Sequence, residues 1–129
     1  MTDSSTVLID TSAWIEALRS GGDDSLRDAV AVALNDDRAA MAAPVWLELY
    51  GGVKGKKELE RLTSLRRLCR WLDVDAESWE LAAEILRACR EEGVTVPLGD
   101  VLVFACARRH KVQILEKDKH FGLMAKVVP

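Results

Sequence analysis

The chain has 129 residues, 49% of them apolar and 30% charged, with a formal net charge of −3. That length suggests one domain able to bury a core without disulfides or structural zinc. The composition offers no apolar run long enough to span a bilayer and no low-complexity tract, and a charge so near zero argues against a general polyanion binder.

Residues 1–6 are short and polar and lack the basic and apolar regions of a secretion signal, so a cytoplasmic location is expected. Residues 6–10 read as a buried first strand, and Thr11-Ser12 can cap a helix running through Leu18. Gly21-Gly22 breaks the chain before a second helix over 25–35, whose Leu26, Val30 and Leu34 form an apolar stripe suited to the core or, as the weaker alternative, to a dimer contact. Residues 39–43 suggest a second strand. Pro44 suits a helix's first turn, so 45–50 is predicted helical, stopping at Gly51-Gly52.

A basic arm follows. Residues 54–70 hold Lys54, Lys56, Lys57, Arg61, Arg66, Arg67 and Arg70 against only Glu58 and Glu60, and Leu59, Leu62, Leu65 and Leu68 recur within it at helical spacing. One face can pack while another meets phosphate, although charge pattern alone favours a plainly solvated helix face. Residues 70–74 are expected as a third strand, and 76–92 as an amphipathic helix with Trp79, Ala82, Ala83 and Leu86 inward. Residues 98–109 are apolar nearly all round, which predicts a buried helix. A fourth strand over 112–115, a short helix over 119–125 and a final edge strand over 126–128 complete the chain. Alternating strands and helices imply an α/β fold with a central, mainly parallel sheet.

Four acids stand where apolar segments end or break: Asp10, Glu48, Asp100 and Asp118. A carboxylate beside core-forming segments must be hydrogen-bonded, paired or bound to a cation. Asp10 and Asp118 follow the first and fourth strands, so in a parallel sheet both lie at the carboxyl edge, where open α/β sheets bind ligands. Glu48 and Asp100 lie on helices that can aim at the same edge. Converging carboxylates suit Mg²⁺ or Mn²⁺, and such a cation suits phosphodiester hydrolysis. Taken singly, Asp10 and Asp100 could be helix caps, Asp118 a turn residue, and Glu48 a solvent-facing acid.

Over essentially its whole length the chain resembles the PIN-domain nucleases, and among them the small ribonucleases of the VapC toxin type. The resemblance rests on Leu8-Ile9-Asp10-Thr11-Ser12-Ala13-Trp14-Ile15-Glu16, Glu48-Leu49-Tyr50-Gly51-Gly52, Leu98-Gly99-Asp100, and Glu116-Lys117-Asp118-Lys119-His120-Phe121. It implies a three-layer PIN-like fold, Asp10, Glu48, Asp100 and Asp118 as the metal-binding acids, Ser12 as a polar lining residue, a homodimer, a cognate antitoxin and RNA cleavage. Glu116 departs from the pattern, since a Thr or Ser usually stands two residues before the closing aspartate. It could add a fifth acid to the pocket or turn to solvent.

Cys69, Cys89 and Cys106 are odd in number without a C-x-x-C pair, which favours free thiols. His110 and His120, the only histidines, read as surface or capping residues more than as a zinc site or a His-pair nuclease. Trp14, Trp46, Trp71 and Trp79 look like core or interface residues. The expected activity is therefore Mg²⁺-dependent endoribonucleolysis, with Mn²⁺ able to substitute. Asp10, Asp100 and Asp118 would hold the cation, Glu48 would orient or deprotonate the attacking water, and Lys54, Lys56 and Lys57 would touch RNA. A phosphoacceptor signalling domain, which would need paired acids after its first strand and a lysine after its last, and a non-catalytic PIN scaffold are the alternatives.

Overall fold

Strands of three or four residues suffice for this sheet because helices cover both of its faces, the usual condition of a parallel sheet. The computed structural model describes residues 5–129. In chain order the elements are β1 (Val7–Ile9), α1 (Thr11–Leu18), α2 (Asp24–Asn35), β2 (Ala39–Ala42), α3 (Ala43–Gly51), α4 (Lys56–Arg67), β3 (Arg70–Leu72), α5 (Ala76–Glu91), α6 (Leu98–His110), β4 (Gln113–Leu115) and α7 (Lys119–Val127). The four strands are all parallel, in the order β3-β2-β1-β4. Right-handed crossovers put α1 to α4 on one face of such a sheet and α5 and α6 on the other, with α7 packed on α5 and α6. The result is a three-layer α/β fold.

The core fills the space between sheet and helices. Leu8, Ile9, Trp14, Met41, Val45, Ile85, Val103 and Met124 are among its fully buried side chains. All four residues of β2 are buried, and its small side chains let helices approach the sheet closely. Helix α6 buries Asp100 together with Val101, Val103, Phe104, Ala105, Cys106 and Ala107, so this helix runs through the core with an acid at its start. Val30 of α2 is buried and Leu26 and Leu34 pack against it, which makes that stripe core. Cys69, Cys89 and Cys106 are free thiols, and burial pushes Cys69 and Cys106 up to about 11. None of the described helices is long and apolar enough to cross a membrane.

Three expectations need correction. Residues 126–128 form no edge strand, because α7 runs on through Val127 and Val128 N–H donates to the Met124 carbonyl, so the segment's amides are taken up by the helix. Trp79 is 57% exposed and Ala83 is also exposed; α5 turns Ser78, Ala82, Ile85 and Cys89 inward, while Leu86 packs at the margin. Leu68 is the exposed C-cap of α4, so the buried stripe there ends at Leu65. Trp14 is buried, Trp46 half-buried and Trp71 exposed at the sheet edge, where the Arg66 guanidinium lies 4.5 Å from the Trp46 ring centre and 4.4 Å from that of Trp71.

If α7 is a helix locked onto the core through Met124, Met124→Ala should lower unfolding free energy by about 2–5 kcal/mol. Lys126→Ala, at an exposed position of the same helix, should stay within about 0.5 kcal/mol of wild type. Urea unfolding of both variants measures the difference.

Candidate active site

The sheet order places a topological switch point between β1 and β4, and ligands of open α/β sheets bind beyond the strands' carboxyl ends at such points. Ile9 pairs with Leu115 at the ends of these strands, and the next residues turn into the site: Asp10 N–H donates to the Leu115 carbonyl at 3.0 Å. Asp10 caps α1. Its Oδ2 accepts from Ser12 N–H at 3.0 Å and from Ser12 Oγ at 2.6 Å, which corrects the reading of Thr11 and Ser12 as caps, since both lie in the helix's first turn. Asp118 caps α7, accepting from His120 N–H at 2.9 Å. Asp100 is no cap; that position belongs to Pro97, and Asp100 is the third residue of α6.

These placements bring Asp10, Asp100 and Asp118 together at three helix starts. Asp10 is 2% and Asp100 8% exposed. Burial, with repulsion from Asp118 and Asp10, pushes the Asp100 carboxyl up to about 7. Asp118 moves the other way. Burial works against its charge, but the His120 amide, a hydrogen bond shared with Asp100 and the His120 ring hold it below the usual carboxylate range. Asp10 Oδ1 and Asp100 Oδ2 are buried without a hydrogen-bond partner. Such orphaned oxygens are costly, and a hard cation is a fitting partner for them.

Glu48 stands at the rim, where it is exposed. Its Oε1 accepts from Thr11 Oγ1 at 3.2 Å and would lie 3.6 Å from a Cβ at Gly99, the residue before Asp100. Glu116 is half-buried. Burial first, then repulsion from Asp10 and Asp118, raises its carboxyl against the pull of the Asp118 amide, so the odd residue of the closing motif feels the charge of the acids. Ser12 ties the two loops together, since its hydroxyl also accepts from Lys117 N–H at 2.9 Å. The Lys117 ammonium reaches Glu16 at 2.9 Å and Asp23 at 3.2 Å, and Arg19 reaches Glu16 at 2.5 Å. Lys117 is thereby committed to Glu16 and Asp23, which leaves Lys119 as the one lysine of the closing motif that a phosphoacceptor pocket could use. Lys54, Lys56 and Lys57 are exposed at the start of the basic arm.

His120 is the residue that sequence reasoning set aside. It is neither an ordinary surface group nor a cap: its Nδ1 lies 2.6 Å from Asp118 Oδ1 and 3.0 Å from Asp100 Oδ2. The signal was Asp118-x-His120. A histidine two residues into a helix donates its amide to the capping carboxylate, and helical side chains lean back towards the N-terminus. His110, by contrast, has its Nε2 2.8 Å from the Asp73 carbonyl.

The PIN domain family model matches residues 7–127. The chain belongs to the PIN-domain family. Ribonuclease VapC11 of Mycobacterium tuberculosis is 34% identical over 125 residues, 94% of this chain and 92% of that protein, which places the chain on the VapC branch. Two solved structures share the fold at low identity. FitAcB from Neisseria gonorrhoeae superposes with a TM-score of 0.77 at 20% identity, covering 94% of each chain. VapBC-5 of M. tuberculosis, a member of the VapBC family of toxin-antitoxin systems, gives 0.66 at 18% identity over 93% of this chain and 90% of its own.

Because Asp100 in the PIN domain holds its proton more tightly folded than unfolded, its contribution stabilises the metal-free protein below about pH 4 and is lost as pH rises through about 7. Asp100→Asn keeps the shape and removes the titration. Relative to wild type, the variant should match at pH 4 and gain about 1 kcal/mol or more at pH 8. Urea unfolding at the two pH values, with chelator present, reads the difference; equal stabilities at pH 8 would mean that Asp100 carries no burial or repulsion penalty.

Proposed function

We propose that this PIN domain is a divalent-metal-dependent endoribonuclease acting as the toxin of a toxin–antitoxin pair. The observation that carries the proposal is the set of buried carboxylates at the switch point, with two oxygens lacking any hydrogen bond. Asp10, Asp100 and Asp118 would hold Mg²⁺ or Mn²⁺. A cation so held polarises a phosphoryl oxygen and acidifies an attacking water.

The chain's own groups divide the remaining work. Glu48 has one oxygen on Thr11 and stands exposed, so its other oxygen can orient the water and accept its proton at the rim. Ser12 keeps Asp10 Oδ2 turned towards the helix, which leaves Oδ1 for the cation. Lys54, Lys56 and Lys57, with Arg61 beyond them, give RNA phosphates a positive approach on a chain that is otherwise mildly acidic.

Two grooves support the expected partners. One of about 320 Å³ runs between α1, α3 and α4 and is lined by Ile15, Leu18, Leu49 and Leu62, with Glu48 and Arg61 at its polar edge. An antitoxin segment with apolar side chains along it and an arginine for the carboxylates fits that chemistry, since arginine bridges carboxylate oxygens in a bidentate way. The other is apolar and shared by Pro44, Leu47, Val74, Trp79 and Leu102. Leu47 is 70% exposed, and so large an apolar group beside Trp79 suits a second copy of the chain, with both acid clusters near the joint.

Two measurements test this reading. Purified protein with Mn²⁺ or Mg²⁺ and an RNA pool should yield new ends carrying 5′-phosphate and 3′-hydroxyl, with no cleavage in chelator or in Asp100→Asn. Products ending in 2′,3′-cyclic phosphate would reject a metal-activated water. Trp79→Glu should convert a dimer to a monomer in sedimentation without loss of helical content; a wild-type monomer at micromolar concentration would refute the dimer.

A further inference from the structure

Histidine beside a carboxylate is commonly a hydrogen-bonded structural group, and His110 shows what that looks like here, with its ring on a backbone carbonyl. His120 differs. Its ring is about three-quarters buried, and its Nδ1 sits between Asp118 Oδ1 at 2.6 Å and Asp100 Oδ2 at 3.0 Å. Yet neither Nδ1 nor Asp100 Oδ2 has a hydrogen bond of acceptable geometry. One donor atom from each of Asp100, Asp118 and His120 lies within 4.8 Å of the others. Asp10 and Asp100 are 2% and 8% exposed, Asp10 is near enough to repel the Asp100 charge, and each carries a buried oxygen without a hydrogen-bond partner: Asp10 Oδ1 and Asp100 Oδ2.

The spacing suits ligands of one ion. Adjacent ligands of an octahedral cation held at about 2.1 Å stand about 3 Å apart. The Asp100–His120 separation already has that value, and the Asp118–His120 pair needs to open by only about 0.4 Å. The imidazole is also held in place, because the His120 amide is fixed on Asp118 and the neighbouring Phe121 is buried in the core.

Resting on the reading of these acids as a cation site, we propose that His120 binds the cation directly through Nδ1, making a mixed nitrogen–oxygen site that prefers Mn²⁺ to Mg²⁺. Mg²⁺ favours oxygen donors and keeps its waters, whereas imidazole is a good ligand for first-row transition ions. A purely carboxylate pocket gives no such preference through a nitrogen. His120→Gln keeps a polar side chain of similar reach and removes the imidazole.

The test is pulsed electron paramagnetic resonance of the full chain loaded with Mn²⁺. Wild type should show modulation from a directly bound ¹⁴N, and growth on ¹⁵N-histidine should replace it with the ¹⁵N pattern, which needs no substitution and so no question of folding. In His120→Gln the nitrogen modulation should vanish, and the ratio of Mg²⁺ to Mn²⁺ dissociation constants should fall by about tenfold or more. Histidine with a merely structural role would shift the melt but leave the manganese spectrum unchanged. Bound Mn²⁺ without nitrogen modulation, or modulation surviving in His120→Gln, overturns the proposal while the cation site stands; a spectrum of free Mn²⁺ in wild type overturns both.

Discussion

Crowding negative charge at the carboxyl edge of the sheet is the constraint to which the rest of the molecule responds. Two unit charges 4 Å apart repel by about 4 kcal/mol at an effective dielectric near 20, a large fraction of a small domain's stability. The fold offsets part of this by geometry. Asp10 and Asp118 cap α1 and α7, and Asp100 lies in the first turn of α6, so three helix N-termini direct their unpaired amides and positive dipole ends at one spot. Each such end stabilises an adjacent anion by about 0.3–1 kcal/mol. The sum falls short of full compensation, and the shortfall is visible as the raised Asp100 carboxyl.

Charge of both signs also fixes the loop that carries the closing acids. Lys117 is stitched to α1 twice, by its amide on Ser12 and by its ammonium on Glu16, and Asp23 adds a third tie. Glu16 is itself buried between Lys117 and Arg19, which hold its carboxyl below the usual range. A buried acid stripped of its cations is far less stable than the intact pair. The loop over 116–118 is therefore held by an ion-pair network that lies outside the acid cluster and leaves the cluster's own oxygens unneutralised. Glu116, next to Lys117 in the chain, has no ion pair with this network among the described residues and adds its repulsion to Asp10 and Asp118 instead.

Much of this was legible in the sequence, for identifiable reasons. Strand-length apolar runs followed by acids gave β1 and β4 and hence the edge that Asp10 and Asp118 occupy. The all-round apolar pattern of 98–109 gave a buried helix, which forces Asp100 inward. Illegible features were those decided by tertiary contact. Val127-Val128 has strand propensity, but Met124 and Phe121 bury the face of α7 that precedes it, and the segment is drawn onto the core as helix. Trp79 fits the inward stripe of α5 by spacing, yet the sheet side of that helix is taken by Ser78, Ala82 and Ile85, and the bulky ring is left outside. His120 carries no apolar pattern at all; only the identity of the cap two residues before it reveals where its ring must go.

Electrostatics also bears on the order of events at such a site. A phosphodiester brought to metal-free Asp10, Asp100, Asp118 and Glu116 would meet like charge, with exposed cations at Lys119 beside Asp118, on the arm at Lys54, Lys56 and Lys57, and along α4. Lys117 and Arg19, although close in the chain to the acids, are already bound to Glu16. On the proposed reading, then, the basic arm can draw RNA to the surface by long-range attraction, but the final approach to the acids depends on a cation having first reversed their charge. The same buried oxygens that weaken the metal-free fold would give the proposed cation its affinity, because filling the site would relieve the repulsion the fold otherwise carries. On that reading stability and substrate access would both depend on the cation at this site, with Asp100 as the group through which both are felt.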